Sequence, residues 1–441
     1  MRAARPYLVA ALAAQLQKPI LYLVASVDAS RTAQDALRNL LGDDKAVFRL
    51  AEPNTSFYDE VKPVAEVVAQ RSRVLAALAR AHDAPATQVI VSGPRALMQP
   101  TLHPRSYKLL ARVIKRDQEL ELEKLISHWV SIGYEPASVV ERIGAFSRRG
   151  GILDVWSPAT DLPTRIELFG DQVDSIRYFD PGTQRSGAQT DTLDIAPLEV
   201  LSAAGGLTAR SAQTYSTLAD YLGAGGLLVI DDENEVAAAW EELEAKAQRE
   251  REIVLINGKA PDALPYVSWE EFLPSHRAEV SQTRALILGS AENVAAAHPI
   301  SQSFEPGQHF AGQLAPFLKH LETQTGTTVV VSRQAARLAE MWSDRHSAIA
   351  AQTNLDEPPA HGLTFVTGAL PGGWELTSNQ QPATSSPSSP TPKFLAICGQ
   401  NQAAIPAPAA PRQKKRLQIG RRAMRLCTRI MAWAFTAARK S

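Results

Sequence analysis

Gly144-Ala-Phe-Ser-Arg-Arg-Gly-Gly-Ile-Leu-Asp-Val-Trp156, followed by Thr164-Arg-Ile-Glu-Leu-Phe-Gly-Asp-Gln-Val-Asp-Ser-Ile-Arg-Tyr178, decides how this chain is to be read. Gly150–Trp156, Thr164–Phe169 and Gln172–Tyr178 are short strand-like runs separated by turn residues. Gly170-Asp171, between the last two, is a hairpin signal, because a tight turn needs a residue free to adopt positive φ. From Gly133 to Arg185 the sequence therefore predicts a small antiparallel β module.

On both sides the texture is different. Pro19–Ala25 and Gln88–Ser92 are continuous apolar runs, short enough for buried parallel strands. Tyr7–Leu16, a stretch capped by Asp28 or Ser30 and running through Leu41, and Val64–Ala81 read as helices. The pattern returns at Gly226–Asp231 with a helix from Glu233 to Arg249, then at Arg284–Gly289 and Thr327–Ser332. Strands alternating with helices predict an α/β layer, doubly wound, with the β module inserted into it.

A chain of 441 residues implies two to four domains. Its 45% hydrophobic and 21% charged residues are ordinary for a globular protein. Lys plus Arg and Asp plus Glu number 46 each, but the balance is uneven along the chain. Residues 377–441 hold eleven Lys or Arg and no Asp or Glu, which leaves the first 376 residues with eleven more acids than bases. The two cysteines, Cys398 and Cys427, also lie in that tail, so a disulfide framework and a Cys-based zinc site are excluded from the body. The nine His form no HExxH and no close cluster with acids, so no metal site is expected. No apolar run reaches the length of a membrane span, and the start shows no signal-peptide cleavage site. These readings predict a cytoplasmic protein without a membrane partner.

Gly133-Tyr134, the Gly144–Trp156 run and Leu162–Ser186 together resemble the insertion domain shared by the excision-repair helicase UvrB and the bacterial transcription-repair coupling factors. The resemblance implies a module that binds the damage-recognition ATPase UvrA, with contacts carried by Arg149, Arg165 and Phe169. Arg165 and Phe169 are four apart on one strand and face the same way. Two guanidiniums flanking an aromatic have the composition of an interaction hot spot. Taken without the resemblance, Phe169 as core and both arginines as solvated surface would be the plainer reading.

Within that family the chain departs from UvrB. A phosphate-binding loop GxxxxGK[ST] is missing: the only Gly-Lys pair, Gly258-Lys259, precedes Ala260, and the segment before the first long helix reads Met1-Arg-Ala-Ala-Arg-Pro-Tyr7. The tyrosine-rich hairpin of UvrB is absent from Glu52–Asp59. The resemblance is therefore to the degenerate, ATP-inert first domains of a coupling factor. Gly226–Glu233 resembles a worn helicase acidic box, in which Asp231, Asp232 and Glu233 would face the Mg²⁺ of a nucleotide. With no phosphate loop opposite, these acids read as the end of a buried strand and the cap of a helix. No catalytic residue and no cofactor are expected in this chain; ATP and Mg²⁺ belong to full-length family members.

The tail carries a further signal. Read from the third base of each codon, permitted codons for Ser389–Ala396 give Thr-Asp-Ala-Glu-Ile-Phe-Gly, a segment that follows these domains in coupling factors. The same shift at Leu426–Ala438 yields a His-Gly-Val-Gly sequence like the start of their polymerase-binding domain. There, two glycines are forced by the single codons of Met431 and Trp433 followed by alanine. A base gained or lost between Leu376 and Ser389 is the expectation. Alternatively, Arg412–Lys440 is a basic amphipathic helix for nucleic acid or anionic lipid, joined by a Pro/Ser-rich linker at Pro382–Pro392.

The resulting organisation is a UvrB-like domain in two parts, 1–110 and 198–290, a UvrA-binding module at 111–197, a small α/β domain at 291–376, and an out-of-frame tail without structure at 377–441. The implied function is that of the N-terminal portion of a transcription-repair coupling factor. It would recruit UvrA, while RNA polymerase and DNA would be engaged only by a C-terminal ATP-driven motor that this chain lacks. A UvrB-type helicase subunit and a non-functional product of a frameshifted gene are the alternatives.

Overall fold

The computed structural model describes residues 2–41, 46–58, 63–83, 87–198, 215–223, 225–256, 264–272, 284–288, 304–310, 312–324, 327–353, 362–368, 374–376 and 392–396. The fold class is α/β. The chain divides into two compact units: residues 18–27 with 49–286, and residues 1–17 with 28–48 and 287–441.

In the first of these, β1 (Pro19–Leu23) and β2 (Gln88–Ser92) pair in parallel, Ile20 opposite Val89 and Tyr22 opposite Val91. All five positions of β1 are buried, as an unalternating apolar run requires. The helix Ala65–Asp83 carries a buried Arg71, which donates to Ala51 O and Ala96 O at 3.0 Å each. Those bonds hold the backbone beyond β2 while keeping the guanidinium satisfied away from water.

The parallel layer is interrupted by the β module. Its first strand, β3 (Arg112–Lys115), and its last, β10 (Thr192–Ile195), are antiparallel partners, with Arg112 opposite Ile195 and Lys115 opposite Thr192. The module thus leaves and rejoins the frame at adjacent points, the condition for an insertion that does not pull its host apart. Between them lie the helix Leu122–Ser131 and β4 (Glu135–Pro136), β5 (Ala145–Arg149), β6 (Ile152–Val155), β7 (Thr164–Phe169), β8 (Gln172–Phe179) and β9 (Ser186–Gln189). These six strands form one sheet in the order β9-β8-β7-β6-β5-β4.

One face of that sheet packs Phe146, Leu153, Val155, Ile166, Val173 and Ile176 with Trp129 of the helix and with Leu193 and Ile195 of β10. Val173 and Ile176 are three apart, which strict alternation would put on opposite faces. A register shift between Val173 and Ser175 on β8 absorbs the extra residue and turns both inward.

The frame then resumes with β11 (Leu227–Ile230), buried throughout and parallel to β1, and β12 (Arg284–Ile287), in the order β12-β11-β1-β2. A helix, Glu233–Ile256, follows β11.

The other unit contains the helix Arg5–Leu16 and a sheet of β13 (Phe304–Pro306), β14 (Thr327–Ser332), β15 (Gly362–Thr367), β16 (Trp374–Leu376) and β17 (Pro392–Ala396), in the order β13-β16-β17-β14-β15. Phe317, Leu321, Val330, Leu338 and Phe365 make its core with the helices Leu314–Thr323 and Ala335–Ser343. One expectation is corrected here. The tail after Leu376 was read as lacking structure, yet Pro392–Ala396 is a strand running parallel to β14. Phe394-Leu-Ala is a short strand-capable run that the basic, Pro/Ser-rich composition around it conceals. The basic stretch Arg412–Lys440, Cys398 and Cys427 lie outside the described residues.

Gly144 has φ of +83°, donates its N–H to Trp156 O at 2.8 Å, and accepts from Glu135 N–H at 2.9 Å. An added Cβ would stand 2.6 Å from Leu198 Cδ1, in the buried cluster where the module rejoins the frame. Gly144→Ala should therefore lower the local stability of the module by about 2 kcal/mol or more, through strain at positive φ and displacement of Leu198. Amide exchange in β5 and β6 would report it as faster opening.

Candidate partner-binding site

The outer face of the module sheet is built by the alternate residues of four strands. Arg149 lies opposite Ile152, and Ile152 opposite Glu167; in the next row Ser147, Asp154, Arg165 and Arg177 stand side by side. Two hairpin turns close the same end of the sheet. Gly150 and Gly170 both take positive φ, +62° and +63°. Gly151 accepts from Leu168 N–H at 2.8 Å, and a Cβ there would meet Leu168 O at 3.1 Å. The paired glycines let β6 and β7 stay in register up to the turns.

Phe169 is the last residue of β7. Its neighbour Leu168 turns inward to the core, and Phe169 is left 81% exposed. Arg149, at the end of β5, is also exposed and donates from Nη2 to Ser138 O at 2.6 Å. The structure thus brings these two sequence-predicted residues to the same end of the same face.

Arg165 shares that face, and its guanidinium is engaged within the module. Its side chain is 18% exposed, and its guanidinium forks onto Asp154, Nε to Oδ1 at 2.7 Å and Nη2 to Oδ2 at 2.9 Å. Asp154 is 3% exposed. Nη1 lies 3.4 Å from Ser186 Oγ and 3.5 Å from Gln184 O, and the guanidinium carbon sits 5.0 Å from the centre of the Phe179 ring. The hydrogen bonds to Asp154 hold the Arg165 pKa above its ordinary value. Its donors are thus turned to β6, to the turn before β9 and to β9 itself. Sequence reasoning gave Asp154 no part. The only signal was an acid at an outward position of the apolar run Ile152-Leu-Asp-Val155, and its partner depends on a register that the loop after Trp156 leaves open.

The acids after β11 are placed by the backbone. Asp231 accepts from Tyr22 Oη at 2.6 Å and donates its N–H to Leu23 O at 2.9 Å. Asp232 Oδ1 lies 3.4 Å from Glu235 N–H, in the manner of a helix cap, and Glu233 opens the helix Glu233–Ile256. Among the described residues no group of three His, Cys, Asp or Glu could hold a metal ion, and no helix is long and apolar enough to cross a membrane.

The module is thus an inserted β sheet with one face packed on a core and an exposed aromatic at the hairpin end of the other. Residues 113–200 match the model of the UvrB interaction domain. The chain is 34% identical over 200 residues to the transcription-repair-coupling factor of Myxococcus xanthus and 33% identical over 199 residues to that of Bacillus subtilis. These stretches are 44% and 45% of this chain and 16% of each relative. A match to the transcription-repair-coupling factor of Staphylococcus epidermidis is 24% identical over 394 residues, 76% of this chain and 33% of the relative. The chain is thus similar to transcription-repair-coupling factors, and the matches span no more than about a third of their length.

Removing Arg165 would strand a buried carboxylate. Arg165→Ala should cost about 3–5 kcal/mol of local stability in the module, since breaking a buried pair leaves one charge uncompensated. The free energy of opening from amide exchange in β6 and β7 would measure it. A loss under about 1 kcal/mol would mean that the pair contributes little.

Proposed function

We propose that this chain recruits UvrA through the outer, hairpin end of its β module, and so serves as the handing-over part of a transcription-repair coupling factor in nucleotide excision repair. The observation that supports this reading most directly is Phe169, an aromatic side chain 81% exposed at the end of a well-packed strand, with Arg149 two strands away at the same end of the sheet. A protruding aromatic and an exposed guanidinium at one end of a face have the composition of an interface anchor. The match of residues 113–200 to the UvrB interaction domain points to the same partner.

The reading also assigns what the chain does not do. The sequence offers no phosphate loop to Asp231, Asp232 and Glu233, and Asp231 and Asp232 make contacts proper to a strand end and a helix cap. The chain would act as a cytoplasmic adaptor without ATP or Mg²⁺. Release of stalled RNA polymerase and ATP-driven movement on DNA would belong to segments of the family that its matched length does not span.

Immobilised UvrA should retain the purified chain, and Phe169→Ala should weaken binding by about 2 kcal/mol or more, the usual loss for an aromatic anchor. Unchanged binding by Phe169→Ala would overturn the reading. In a separate assay, the chain should show no DNA-stimulated ATP hydrolysis; turnover that survives removal of contaminating ATPases would revive a helicase role.

A further inference from the structure

We propose that Ile152 is a further contact residue, and that the docking surface is the apolar pair Phe169 and Ile152 flanked by Arg149. The surface fits a protein partner that offers an apolar recess with a carboxylate at its rim. The proposal rests on the UvrA reading above and names which residues of the module carry it.

Ile152 opens β6 on the outer face and is 38% exposed, although the next apolar residue of the strand, Leu153, is buried in the core. It stands directly opposite Arg149 on β5 and Glu167 on β7. Phe169 lies two residues beyond Glu167 on the same face, and is therefore a diagonal neighbour of Ile152, at a Cα separation of roughly 7–8 Å. The position beyond Ile152 toward Phe169 is taken by the Gly150-Gly151 turn, which has no side chain to cover either residue. A Cβ built on Gly150 would meet nothing within 4 Å. The glycine turn thus leaves the two apolar side chains uncovered together.

The charges around the pair decide the chemistry of its occupant. Asp154 is taken up by Arg165, and Glu167 accepts from Ser175 Oγ at 2.7 Å. Arg149 and Arg177 remain exposed on this face. The face is therefore apolar at its tip, with the Glu167 carboxylate held toward Ser175 and the cations Arg149 and Arg177 to either side, so a carboxylate of the partner would be met at the Arg149 edge.

Arg165, tied to Asp154 and reaching toward Ser186, holds the sheet on which this pair stands, and the role of Ile152 does not depend on whether Arg165 also meets the partner.

The test uses the full chain and immobilised, purified UvrA. Ile152→Ala should weaken binding by about tenfold or more, and Ile152→Lys by more still. Val130→Ala removes a side chain that is 52% exposed on the helix at the sheet's inner face, and it should bind like the parent chain. Far-ultraviolet circular dichroism and amide exchange in β7 would verify that the Ile152 variants keep the fold. If both Ile152 variants fold and bind like the parent while Phe169→Ala does not, this proposal is overturned and the UvrA reading stands. If Phe169→Ala also binds like the parent, the UvrA reading itself falls.

Discussion

The outer face of the module depends on one ion pair, the fork of Arg165 on Asp154. A carboxylate this inaccessible is costly to bury, and its cost is offset only where a partner meets both oxygens with good geometry. Arg165 does so, and spends its remaining donor toward Ser186 Oγ and Gln184 O, so that β6, β7 and the entry to β9 are tied at one point. Phe179 lies against the guanidinium and belongs to the small cluster with Val140 and Ala145. The row through Asp154 and Arg165 is thereby fixed beside that cluster. The hairpin end, one row away, inherits that rigidity, which is what allows an aromatic to be presented there at low conformational cost.

Presentation has a second requirement, that the face pointing outward stays outward along the whole strand. On β7 simple alternation suffices: Thr164 and Ile166 go in, Arg165, Glu167 and Phe169 go out. On β8 alternation fails at Asp174, and the register shift restores it, keeping Val173 and Ile176 in the core and Ser175 within reach of Glu167. A one-residue slip would exchange the two faces, burying Phe169 against Trp129 and exposing Ile166.

Much of this was legible in the residues. The apolar runs at Pro19–Ala25, Gln88–Ser92 and Gly226–Asp231 form buried parallel strands because nothing in them alternates, and Gly170-Asp171 turns because glycine accepts positive φ. Phe169 and Arg149 could be singled out because a motif fixed their spacing, and local geometry then puts them on one face. Arg165 could not be distinguished from them in the same way. Whether an arginine meets solvent or a buried acid depends on cross-strand register, and the seven residues between Trp156 and β7 do not state it. Ile152 was hidden for a related reason: its exposure follows from the glycines beside it and from its place at a strand's first residue. The strand at Pro392–Ala396 was missed because a composition read over 65 residues averages away five.

The module is attached to the frame by a paired stem and a small packed contact. β3 and β10 leave and return as hydrogen-bonded neighbours, and the module also meets the frame helix Ala65–Asp83, where Val68 packs against its core and Arg80 donates to Ala159 O at 2.6 Å. The frame in turn uses Asp231 and Asp232 for a tyrosine hydroxyl and a helix start, tasks that stabilise the layer without any ligand. A change at Asp154 would reach the surface at Phe169 through the sheet, by freeing Arg165 and its tie to β9.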